Sequence, residues 1–510
     1  MTSATKQRSN ATTKRFRIAT VLSSPGLYLV ALSLCYLVTS PALADEKRGD
    51  WPMWGGAPDR NMVSDETGIP AEWDIKTGKN IRWTAPLGSQ TYGNPVVAGG
   101  RIFVGTNNGG QFRPNIKGDK GIVLCFEEKT GRLLWQATHD KLPTGQVNDW
   151  PEQGICSTAC VVGGRVYYVS NRCELVCADV EGMLDGENDG PFKDEKYNEK
   201  QDADFAWILD MIEELGVFPH NLATSSPVVI GDIVYLLTSN GVDEGHLNLP
   251  APNAPAFLAV NKDTGQVVWH RNDPGRKTFH GQWSSPACAV IAGQPQVIFP
   301  GGDGICYSFE PNRGELLWKF DLNPPGAKYV LGGRGTANEI IATPVVYDDA
   351  VFVCVGQDPE HGEGPGHLYR IDATKRGDIT HSGRVWHLGD KDFNRALSTC
   401  AIREGLCYAA DLSGFLYCID AKTGQVHWKY DTYSAVWGSP YAVDGKVMLG
   451  TEDGEVVVLA QGKERKLLAR NDMGSSVYTT PVAANGVLYV TSKNTLYAIA
   501  RGAQARPAAE

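Results

Sequence analysis

The chain has 510 residues, with 57 Gly, 29 Pro and a formal net charge of −10. An acidic protein gains no counterion-release energy on a phosphate backbone, so nucleic acid is not expected as a partner. Length alone suggests two or three domains, but Gly and Pro are spread evenly, as many tight turns between short strands would require.

The first 44 residues carry Lys6, Arg8, Lys14, Arg15 and Arg17 and no acidic residue. An apolar stretch follows from about Ile18 to Val38, then Pro41-Ala42-Leu43-Ala44. A basic head, an apolar middle and small residues before the cut predict an export signal cleaved after Ala44. The mature chain is then periplasmic or secreted, and losing five positive charges takes its formal charge from −10 to −15. An uncleaved signal would serve as a membrane anchor, although Ser23, Ser24, Pro25 and Gly26 interrupt it. Cys35 follows Leu34, not the small residue that lipid attachment needs. Residues 45–79 form a segment that precedes the repeats, and 503–510 form a tail.

From residue 80 to 502 one pattern recurs. A small polar residue and Pro-Val-Val open a strand; Gly leads into an aromatic and β-branched strand; a third strand ends in an acidic residue, Thr-Gly follows, and a fourth strand carries Trp. The clearest copies run from Asn94-Pro95-Val96-Val97 to Thr130-Gly131 and Trp135, and from Ser226-Pro227-Val228-Val229 to Thr264-Gly265 and Trp269. Two more run from Ser285-Pro286 to Trp318 and from Ser398-Thr399-Cys400 to Trp428. Degenerate copies begin at Ser157-Thr158-Ala159, Thr343-Pro344-Val345, Ser439-Pro440 and Thr480-Pro481-Val482, with fourth strands near Trp207, Trp386 and Leu468 in the first three. About 40 residues per copy is the length of one four-stranded propeller blade. The last copy lacks a fourth strand, and a surplus strand, Asn80-Ile81-Arg82-Trp83-Thr84, precedes the first. Pairing the two closes an all-β, eight-bladed β-propeller of antiparallel blades with no open edge.

The Asp-x-x-Thr-Gly-x-x-x-Trp signature resembles the tryptophan-docking repeat of quinoprotein (PQQ-like) dehydrogenases and of the propeller lipoprotein of outer-membrane assembly. Trp51-Pro52-Met53-Trp54-Gly55-Gly56 looks like the segment that precedes the ring in exported proteins of this kind. The resemblance implies that Trp83, Trp135, Trp207, Trp269, Trp318, Trp386 and Trp428 each pack between neighbouring blades. It implies no single activity, because the fold serves catalysts and scaffolds alike.

Eleven cysteines remain after the signal. Cys125, Cys177 and Cys418 share a repeat position with Ala259 and Ala498, and Cys160 and Cys400 share one with Val96, Val228 and Val345. Cysteine that alternates with Ala and Val behaves as a small core residue. Cys156, Cys160, Cys173 and Cys177 in one blade leave a bridge or a metal site open, though without zinc-type C-x2-C spacing.

Strand order sorts the long insertions. Residues 106–120, 239–256, 321–338 and 356–367 should crowd one rim, and the acidic stretch 182–203 should form a solvated loop on the other face. Three residues before the Pro position, the ring reads Tyr92, Cys156, Thr224, Trp283, Ile341, Ala396, Trp437 and Tyr478. Tyr92, Trp283, Trp437 and Tyr478 form an aromatic set that either stacks on a flat or sugar-like ligand or plugs the channel. Arg395, Glu339 and Asn394 lie just outside as polar partners. His280 reads as a rim hydrogen-bonder, and Asp358 to Glu363 with His367 as a solvated turn, although these are also residue types that ligate hard metals. No nucleotide loop, nucleophile elbow, zinc motif or haem box is present, so no catalytic residue and no metal is assigned.

Two functions follow. The first is a binding or scaffold propeller of the cell envelope, taking a protein partner, a small molecule or a carbohydrate on the rim. The alternative, carried by the resemblance, is an alcohol or sugar dehydrogenase using PQQ with calcium, but this chain lacks that family's adjacent Cys-Cys pair.

Overall fold

Eight separate antiparallel sheets account for nearly every strand of the computed structural model, which describes residues 49–505 except 334, 362 and 363. The expected export signal lies outside the described residues. Blade 1 comprises Val96–Ala98, Arg101–Asn107, Lys120–Glu127 and Leu133–Asp140, from the channel outwards. Blades 2 to 7 repeat the order. Blade 8 takes Val482–Ala484, Val487–Thr491 and Thr495–Gln504 from the C-terminus and Lys79–Pro86 from the N-terminus. Its ladder sets Trp83 opposite Ala498 and Ala85 opposite Leu496, which closes the ring. Two short parallel strands extend blades 4 and 7: Gly377–Asp378 beside Leu316–Asp321, and Val63–Ser64 beside Tyr441–Val443.

The repeat sequence has a direct physical meaning. Cys125, Cys177, Cys418, Ala259 and Ala498 each stand opposite a Trp in the outer ladder, at Trp135, Trp207, Trp428, Trp269 and Trp83. A small residue there leaves room for the indole. The indole N–H then donates to a carbonyl of the next blade: Trp83 to Glu128, Trp135 to Val180, Trp207 to Lys262, Trp269 to Pro311, Trp386 to Ala421 and Trp428 to Gly462. The Thr-Gly turn is the seat. A Cβ on Gly131 would lie 2.5 Å from Trp83, and the left-handed backbone there (φ +72) also demands glycine. Trp318 differs, because blade 5 has Lys375-Arg376 where blades 1, 3 and 6 have Thr-Gly. It bonds Gln296 of its own blade, which relays to Ala373 of blade 5.

All eleven described cysteines are free and, apart from half-buried Cys156, buried, so none bridges within blade 2. The stretch 182–203 departs from expectation. Met183, Glu195 and Asp202 are buried, and the carboxylates of Asp202 and Glu199 pair with the guanidinium of Arg113, itself buried in the 106–120 insertion. A cation withdrawn from water needs such partners, and this one holds the acidic stretch against the protein.

The small polar residue that opens each repeat links the blades around the channel. Asn94 N–H donates to Thr158, Thr158 to Ser226, Ser226 to Ser285, Thr343 to Thr399, Thr399 to Ser439, Ser439 to Thr480, and Thr480 back to Asn94. The hydroxyl of Thr343 also accepts the indole N–H of Trp54 at 3.1 Å.

Beyond this polar ring the channel has a floor made by residues 49–64. Gly49 accepts from Asn485 and Trp51 exchanges hydrogen bonds with Val97; Pro52, Pro58, Asp59 and Met62 accept from Val161, Cys288, Val346 and Ala442. Asn61 bonds both backbone groups of Ile402. Arg60, fully buried, donates to the carbonyls of Trp54, Pro286, Ser226 and Pro227 at 2.7–3.1 Å. Burial pulls its guanidinium down to about 10, which leaves it charged at neutral pH. Sequence reading placed this segment before the ring and missed that it bonds to all eight blades.

Candidate functional site at the channel mouth

Each inner strand enters from the opposite side, so the residues three before the repeat's Pro meet at the mouth. A cavity of about 480 Å³ opens there. It is lined by Tyr92, Cys156, Thr224, Trp283, Trp437 and Tyr478 from that register, and by Trp150, Asn221, Leu222, Asp358, Glu360 and Glu452 from the loops. Tyr92 and Tyr478 stack with centroids 5.1 Å apart, and Trp437 meets Tyr478 edge-on at 6.1 Å. The Trp437 indole donates to Glu452 at 3.2 Å, and that of Trp283 to the His220 carbonyl at 3.0 Å. All four aromatics are half-buried, so each keeps surface toward the cavity. They stand in the wall of the cavity.

The rest of the register does not reach the cavity. Ala396 is buried, and the connection 356–367 crosses above it: Arg395 N–H donates to Gly364 and its guanidinium to the Asp358 carbonyl. Arg395 is therefore a strut that holds this connection and does not line the cavity. Asn394 turns to the Asp411 carboxylate at 3.0 Å. Glu339 is buried within the wall, where burial first and the Asp358 carboxylate second push its carboxyl well above the usual range. All three lie outside the cavity lining. Nor is Asp358 in a solvated turn: it is 7% exposed, with a carboxylate oxygen 3.9 Å from His280 Nδ1.

Behind Trp283 three of the ten histidines converge. His220 precedes blade 3, His246 lies in the 239–256 insertion, and His280 precedes blade 4. Their ring centroids are 4.4–4.9 Å apart, and His280 packs against Trp283 at 5.1 Å. His220 Nδ1 lies 2.8 Å from the Val242 carbonyl. A carbonyl only accepts, so Nδ1 carries the proton and Nε2 keeps a lone pair. Burial holds the His220 imidazole down to about 4, hence neutral. No local motif announced this group, since its members are 26 and 34 residues apart and meet only where blades 3 and 4 pack together.

Among the described residues no helix is long and apolar enough to cross a membrane. A family model described as outer membrane protein assembly factor BamB matches residues 220–386 and 366–467. BamB of Moranella endobia (strain PCIT) is 20% identical over 408 residues, spanning 77% of this chain and 87% of that one. BamB of Yersinia pestis is 21% identical over 386 residues, 75% of this chain and 80% of its own length. The quinohemoprotein alcohol dehydrogenase ADH-IIG of Pseudomonas putida is 32% identical over 226 residues, 40% of this chain and 25% of that enzyme. The solved structure of BamB from Moraxella catarrhalis superposes with a TM-score of 0.52 at 13% identity, covering 84% of this chain and 99% of that one. That likeness is one of fold.

Proposed function

We infer that this PQQ-like repeat propeller, similar in its repeats to the outer membrane assembly factor BamB, is an exported binding scaffold of the cell envelope that takes its partner in the channel mouth. The observation that carries this reading is the blind aromatic cavity: a channel sealed below by residues 49–64 and open above onto four half-buried rings. Rings held by the blade framework lose little side-chain entropy on binding, so stacking there is effective. The charged side chains in the lining, Asp358, Glu360 and Glu452, are all acidic. The mouth thus suits a neutral or cationic group, such as a sugar or a basic and aromatic protein segment.

The same lining is a poor seat for PQQ, a tricarboxylate, because it contains no Lys or Arg. The adjacent cysteine pair on which the related dehydrogenases stack the quinone is also missing.

The test is cross-linked capture from a cell-envelope extract with the mature chain and its Trp283→Ala/Trp437→Ala variant. The parent should retain a defined partner that the variant loses while keeping its fold. Equal capture by both would move the binding surface off the mouth. Stoichiometric uptake of PQQ with Ca²⁺ and dye-linked alcohol oxidation would replace the scaffold reading by the dehydrogenase one.

A further inference from the structure

We propose that the wall of the mouth holds one divalent transition metal of the zinc class, on His220 Nε2, His246 Nε2 and His280 Nε2 with Glu360 as fourth donor. One donor atom from each of the three histidines lies within 4.8 Å of the others. His246 Nε2 and His280 Nε2 are 3.3 Å apart, and Glu360 Oε2 is 3.9 Å from each. Nitrogens on a tetrahedral zinc, with bonds of about 2.0–2.1 Å, stand about 3.3–3.4 Å apart. Two donors are thus already at coordination spacing. The remaining donors lie within 4.8 Å, and His246 and Glu360, with 23% and 41% of their side-chain surface exposed, have room to move closer.

A second, independent observation points the same way. His220 is fully buried, yet its Nε2 has no hydrogen-bond partner. A buried imidazole acceptor left unsatisfied loses its hydration without compensation, and simple packing of three rings offers nothing in return. A cation at that lone pair does. The Val242 carbonyl fixes the proton on Nδ1 and aims Nε2 inward, the outer support that metal-bound histidines usually have. Around His280, Glu339 Oε1 and Asp358 Oδ2 each lie 3.9 Å from Nδ1, so carboxylates back this ligand too. Three imidazoles and one carboxylate select zinc-like ions over calcium, which prefers an all-oxygen shell.

The experiment uses the untagged mature chain, stripped with chelator and titrated with Co²⁺ as the spectroscopic probe. One Co²⁺ per chain should bind with the intense visible bands of a tetrahedral nitrogen and oxygen site. Zn²⁺ should bleach them, and a large excess of Ca²⁺ should not. Zn²⁺ should also raise the melting temperature of the parent. His246→Gln, on an accessible insertion, should keep the apo melting temperature and lose more than about 100-fold in Co²⁺ affinity, since outer-shell changes alone cost about 10–100-fold. His280→Gln should do the same, and His246→Gln decides the matter if the buried variant does not fold. Substoichiometric binding, displacement by Ca²⁺, or unchanged affinity in His246→Gln would overturn the assignment.

Discussion

The floor and the mouth of the channel are built from the two ends of the same eight inner strands, and they are finished in opposite ways. At the floor every potential cost is settled within the chain. The buried guanidinium of Arg60 meets four carbonyls, and the backbone of residues 49–64 pairs with one blade after another. At the mouth the rings are half-exposed, the carboxylates gather without a cation in the lining, and the Nε2 of His220 is left without a partner. A buried acceptor left without a partner calls for an explanation, and at the mouth His220 supplies one such group.

The contrast can be broken most severely at ring closure. Deleting residues 45–88 removes the floor and the outer strand of blade 8 together, which leaves open sheet edges. The product should aggregate or melt without cooperativity in light scattering and calorimetry; a monomer that melts like the parent would show that the closing strand is dispensable. Next comes the docking register. Trp428→Ala should cost about 3–5 kcal/mol in denaturant unfolding, the usual toll for truncating a packed aromatic, and an unchanged midpoint would refute the inter-blade seat. Arg60→Met keeps the volume of the floor but orphans its carbonyls, at about 1–3 kcal/mol for each one not rescued by water. A loss near 3 kcal/mol is expected, with partner capture retained, and a loss of capture without a loss of stability would reverse the roles assigned to floor and mouth. The smallest stability effect belongs to the mouth. Trp283→Ala and Trp437→Ala should each change the unfolding midpoint little and weaken partner affinity by about 1–3 kcal/mol, the scale of stacking on an aromatic ring. If the midpoints fall by several kcal/mol and affinity holds, these rings are core.

The blades were legible in the sequence because every repeat position has one physical task. Thr-Gly is readable since only glycine fits beneath an indole at φ +72, and Cys exchanges with Ala since both leave space opposite Trp. The closing strand was legible by subtraction, from a fourth strand absent at one end and surplus at the other. The aromatic part of the mouth followed from register alone. What register could not give was the direction of side chains beyond the strands. Arg395 and Glu339 sit next to register positions, yet they turn into the wall to hold a connection and crowd His280. The histidine group and the floor were invisible for a further reason: both depend on segments with no repeat pattern, the histidines brought together by the packing of blades 3 and 4 and the floor by the whole ring.

Ring closure also fixes an order in time. Thr84 pairs with Tyr497, so the strand Lys79–Pro86 is made long before its neighbour and finds it only when Thr495–Gln504 has been delivered. Contacts of such sequence separation form slowly, because loop-closure entropy must be met before they repay it. Until then the partial ring carries two bare edges, one at each end of its arc. A chain delivered end first, from a ribosome or through a translocation pore, therefore spends nearly its whole emergence in a state that a second copy could pair with.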